Sequence, residues 1–74
     1  MLVYRVIVRL VTGDALILGE TLDSAGEAER QVDRMKQALI PGGEGLVSFW
    51  DKDGDYVAVA ESKILAIYAT QKEQ

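Results

Sequence analysis

No cysteine and no histidine occur among the 74 residues, and proline, tryptophan and phenylalanine occur once each. Without cysteine there are no disulfides and no thiolate metal sites. Without histidine the commonest general base and the commonest transition-metal ligand are gone. Long apolar runs are also missing: none approaches the roughly 18 residues of a membrane span. The opening "MLVYRVIVRLVTGD" carries Arg5 and Arg9 inside its apolar stretch and no small-residue cleavage site after it, unlike a signal peptide. The expected location is the cytoplasm, with no membrane contact. Cations are outnumbered, 8 Lys and Arg against 12 Asp and Glu, for a net charge of −4. An acidic balance disfavours nucleic acid and anionic membranes, because phosphate neutralisation needs clustered Lys and Arg.

What is present points to a folded chain. Apolar residues make up 49% and charged residues 27%, well outside the composition of disordered segments. The length fits one small domain over 1–70, with a polar tail at 71–74. A chain this short buries only about 60–65% of its unfolded surface. Small domains often add a disulfide, a metal or a partner subunit.

"LVYRVIVRLV" alternates with period two and is rich in β-branched residues, so it reads as a strand. Leu2, Tyr4, Val6, Val8 and Leu10 share one face; Val3, Arg5, Ile7, Arg9 and Val11 share the other. "TGD" at Thr12–Asp14 is a turn signal, and "ALILGE" reads as the returning strand of a hairpin. The period then changes. Ala28, Val32, Met35 and Leu39 form one helical stripe, and Ser24 with Glu27 fits a capping box. Glu27–Arg30 and Asp33–Lys36 are spaced to pair on the outer helix face. Pro41 forbids continuation. "LVSFW" and "YVAVA" read as two strands around "DKDGD". "ESK" gives a short break, and "ILAIYA" reads as the last strand.

The "DKDGD" segment places Asp51, Asp53 and Asp55 at alternate residues and resembles the first five positions of the EF-hand calcium loop. That resemblance would imply calcium ligation by the three carboxylates. It stops where the loop requires glycine, since Tyr56 stands there, and Glu61 falls one position short of the bidentate ligand. The flanks are strand-like rather than helical. The turn reading fits throughout: a three-residue loop, Lys52–Gly54, closed by Gly54 in the left-handed region. Asp51, Asp53 and Asp55 are retained only as weak surface metal candidates.

No assembled catalytic constellation accompanies these acids, so no catalytic residue, no enzyme activity and no cofactor are expected. "GGEG" at Gly42–Gly45 is not a phosphate-binding loop; no Lys-Ser/Thr follows and it leads into a strand.

The order β-β-α-β-β-β predicts an α+β fold with one helix packed on a four- or five-stranded, mostly antiparallel sheet. "LVTGDALILGE" and "ALIPGG" also fall where the β-grasp family, to which ubiquitin belongs, has its first turn and its post-helix loop. The layout resembles that family and would imply a β-grasp fold as the second choice. "ESK" is shorter than the excursion a β-grasp makes between its last strands, and the "KEQ" ending does not imply conjugation.

One helix covers one sheet face, yet "LVSFW" and "YVAVA" are apolar on both. If the turn closes at Lys52–Gly54, Trp50 pairs with Tyr56, Phe49 with Val57 and Val47 with Val59. Leu46, Ser48, Trp50, Tyr56, Ala58 and Ala60 then share the uncovered face, with Val3, Arg5, Ile7, Arg9 and Val11 of the first strand. The leading expectation is a non-enzymatic interaction or regulatory module, a homodimer or higher oligomer held by this face. Trp50, Tyr56, Leu46, Ala58, Ile7, Arg5 and Arg9 are its interface, and another protein is a further possible partner. Alternatives are a curled sheet that buries Trp50 and Tyr56, a nucleic-acid-binding module using Arg5 and Arg9, and a weakly metal-responsive protein.

Overall fold

The computed structural model describes residues 1–40 and 42–73. Pro41, expected to stop the helix, lies outside the described residues, as does Gln74. Five strands and one helix appear: β1 (Leu2–Leu10), β2 (Ala15–Ile17), α1 (Ala25–Gln37), β3 (Leu46–Trp50), β4 (Tyr56–Ala60) and β5 (Ile64–Glu73). The α+β class and the element order agree with the sequence pattern. The single sheet does not. The strands form two antiparallel sheets, β2-β1-β5 and β3-β4.

The reason lies just after β2. That strand keeps only three residues of the expected "ALILGE" before the chain bends at Gly19. Backbone hydrogen bonds stitch the two sheets together at this corner: Leu18 bridges Asp51, the Gly19 amide donates to the Trp50 carbonyl at 2.9 Å, and the Lys52 amide donates to the Ile17 carbonyl at 2.9 Å. A Cβ at Gly19 would stand 2.7 Å from the Asp51 carbonyl oxygen, so the corner requires the one residue without a side chain. The chain then returns to β1, where Leu22 and Tyr4 exchange both backbone hydrogen bonds.

β5 is the longest strand and pairs with the full length of β1, from Leu2↔Glu73 to Leu10↔Ile64. A register shift beside Leu10 leaves Leu65 as a bulge. The expected polar tail is therefore strand: Gln71, Lys72 and Glu73 pair with Tyr4, Val3 and Leu2. The 3-10 turn Glu61–Lys63 takes the chain directly from β4 into β5, so the long excursion of a β-grasp is not made here.

Ser24 caps α1, its hydroxyl accepting from the Glu27 amide at 3.2 Å, which satisfies one of the free donors at the helix start. One apolar cluster ties the helix to both sheets: Val6, Val8, Leu18, Leu22, Ala28, Met35, Val47, Phe49 and Val59. Tyr4, Leu10 and Val32 pack against it half-buried. The stripe Ala28, Val32, Met35 and Leu39 is expected to pack on Leu2, Tyr4, Val6, Val8 and Leu10, and one member of that contact falls outside it. Leu2 is 45% exposed, because the helix starts alongside Tyr4 and Gln71 and does not reach the end of β1. Leu39 lies past the end of the helix, whose cap is Ala38, and packs half-buried against the core as expected. Among the described residues no polar side chain is buried, and no helix is long and apolar enough to cross a membrane.

Candidate functional site

The β3–β4 register is the one the turn demands: Leu46↔Ala60, Val47↔Val59, Ser48↔Ala58, Phe49↔Val57 and Trp50↔Tyr56. Opposite residues of an antiparallel pair share a face. Val47, Phe49, Val57 and Val59 therefore turn inward, and Leu46, Ser48, Trp50, Tyr56 and Ala58 turn out. The outward set stays open to solvent. Leu46 is 66% exposed, Trp50 63% and Tyr56 61%, which overturns the alternative in which a curled sheet buries the two aromatics. Their rings lie 5.0 Å apart between centroids at a 52° tilt, within the range of favourable aromatic pairs. Among the described residues, Trp50, Tyr56, Leu46 and Leu65 are the most exposed large apolar side chains after Met1.

The same outer face continues across the corner onto β2 and β1. Trp50 lies opposite Gly19, and beyond it come Arg5, Ile7 and Arg9, all half-buried. Arg9 is occupied: it donates to the Tyr68 hydroxyl at 2.9 Å and to the Gly13 carbonyl at 3.3 Å. Arg5 has no ion pair among the described residues. Val3 and Val11 depart from expectation in opposite ways. Val3 is only 6% exposed, with Lys72 as its cross-strand partner. Val11 sits in the turn after β1 and is 53% exposed.

The acidic loop is a built turn. The Asp51 Oδ1 accepts from the amides of Asp53 at 3.0 Å and Asp55 at 2.9 Å. The Asp51 amide donates to the Asp55 carbonyl, and Gly54 takes φ +86°. Lys52 Nζ stands 3.3 Å from Asp53 Oδ1. Asp51 thus directs one carboxylate oxygen to its own backbone amides. Among the described residues no group of three or more acidic side chains is placed to hold a metal ion.

A second surface carried no motif in the sequence. A groove of about 620 Å³ runs between α1 and β5, lined by Ala28, Glu29, Val32, Asp33, Ile67 and Ala69 among others. Its hint in the sequence was the apolar run "ILAIYA", read as the last strand, while Gln71, Lys72 and Glu73 read as part of a tail. No known protein family matches the chain, and neither a curated protein nor a solved structure shows significant similarity to it.

Proposed function

We propose that the protein is a small, non-enzymatic interaction module of the cytoplasm that pairs with a second copy of itself through the outer face of the β3–β4 hairpin. The observation that supports this reading is the exposure of Leu46, Trp50 and Tyr56 on one face of a hairpin whose other face is core. Large apolar patches on small domains mark contact surfaces, and aromatic anchors near the centre of a contact dominate its energy. Charges of both signs rim the patch, Arg5 and Arg9 on β1 and Asp53 and Asp55 at the turn. A two-fold contact, in which the same surface meets itself, is served by that mixture.

Sedimentation velocity at micromolar concentration tests the reading. The expected result is a dimer that Trp50→Ser converts to a folded monomer, with the wild-type Trp50 emission shifting to the red on dilution to the monomer. A wild-type chain that stays monomeric throughout would reject it.

A further inference from the structure

β5 is an outermost strand, paired on one side only, with β1. Tyr4 exchanges both of its backbone hydrogen bonds with Leu22 on the β2 side. By alternation Val3, Arg5 and Ile7 face β5, so Lys72, Thr70 and Tyr68 turn their N–H and C=O groups toward β1. The N–H and C=O groups of Ile67, Ala69 and Gln71 consequently point away from the sheet. Outer strands are normally protected by charge, proline or short length. β5 has ten residues, and no charged residue or proline stands between Ile64 and Gln71. The other strands at sheet edges are shorter: β2 has three residues, and β3 and β4 have five each.

The residues that present these free backbone groups, Ile67, Ala69 and Gln71, also line the groove under α1, together with Tyr68 and Thr70. The helix wall carries Glu29 and Asp33 with Val32 beside them, and no cationic side chain lines the groove. Glu29 and Asp33 are one helical turn apart, about 6 Å along the axis. The helix begins beside Gln71 and reaches Ile67 further on, so it runs alongside β5 in the opposite direction. Alternate residues of an extended strand are about 6.8 Å apart, a near match to the two carboxylates.

We propose that the free edge of β5 accepts an extended segment of another protein bearing Lys or Arg at alternate positions. The segment extends the sheet by hydrogen bonding to Ile67, Ala69 and Gln71 and sets its basic side chains against Glu29 and Asp33. A second copy of this chain is the poorer occupant, because same-side pairing of two β5 strands would turn the acidic wall of each groove toward the other.

A blocked seven-residue peptide alternating lysine with valine is the probe, with its glutamate–valine counterpart as control, titrated into ¹⁵N-labelled protein. The lysine peptide should shift the amides of Ile67, Ala69 and Gln71 and slow their hydrogen exchange, and binding should weaken with salt. Ala69→Pro removes only an outward N–H and should abolish binding. Glu29→Lys with Asp33→Lys, both on the exposed helix face, should weaken it about tenfold and keeps the test valid if Ala69→Pro unfolds. Trp50→Ser should leave it unchanged, which separates this result from the fate of the proposed dimer. The proposal falls if millimolar lysine peptide shifts nothing, if the glutamate peptide binds equally, or if the shifts centre on Trp50. Edge amides that become protected as the protein alone is concentrated would assign the edge to a second copy and overturn it too.

Discussion

Asp51 holds the hairpin turn with one side-chain oxygen shared between two amides. Asp51→Ala should therefore cost about 1–2 kcal/mol in urea melts, and Asp51→Asn, which keeps an acceptor, distinctly less. This turn was legible because its chemistry is local: acid, acid and glycine at fixed offsets between alternating strands. Gly19 was not legible. Its need for a bare Cα comes from the Asp51 carbonyl, which arrives from the other side of the helix in sequence. Gly19→Ala should cost about 1–3 kcal/mol, chiefly by prising the two sheets apart, and amide shifts at Lys52 and Leu18 would report it. A neutral Gly19→Ala would mean that the corner yields cheaply. Glu61 entered the sequence reading only as an acid one position short of a bidentate calcium ligand. Its Oε2 accepts from the amides of Ile40 and Gly45, both at 3.1 Å, so it pins the segment that leads from α1 into β3.

Among the elements, α1 and the first hairpin could be read from one clean period each, and the second hairpin from its turn chemistry. The inner stripe of the helix packs on the core along its whole length, although its last member lies just past the helix end. Ala28 and Met35 are buried, Val32 is half-buried, and Leu39 has left the helix. Met35→Ala should destabilise by about 2–4 kcal/mol, with Val32→Ala and Leu39→Ala well below it, measured by denaturant midpoints at constant slope. The opposite ranking would place the helix in a different rotation. β5 was read too short because its last residues, Gln71–Glu73, are polar. In an outermost strand the partner supplies the pairing whatever the side chains prefer, so composition loses its value as a signal there. The division into two sheets was likewise out of reach, since alternation assigns faces but says nothing about which strands stop pairing where the chain bends.

For the molecule as a whole, the balance is between a small core and a large open face. The apolar cluster is confined to one layer between the sheets and α1, while the outer side of β3–β4 presents Leu46, Trp50 and Tyr56 to water. If a second copy covers that side, the wild-type melting temperature should rise with protein concentration and that of Trp50→Ser should not. The face was foreseen from alternation alone, because a strand that is apolar on both sides must leave one side bare when only one helix is present. The long β1–β5 ladder has a kinetic consequence. It joins the first strand to the last, so the chain must close nearly its whole length as a loop before the central strand gains its second neighbour. Such non-local pairing slows the search, and refolding is expected over milliseconds to seconds rather than microseconds. Until the final strand docks, the β1–β2 hairpin waits with one flank of β1 unpaired. During synthesis that flank is bare until the last residues of β5 have cleared the ribosome, which makes this interval, rather than the finished fold, the moment when the chain is most open to wrong pairing.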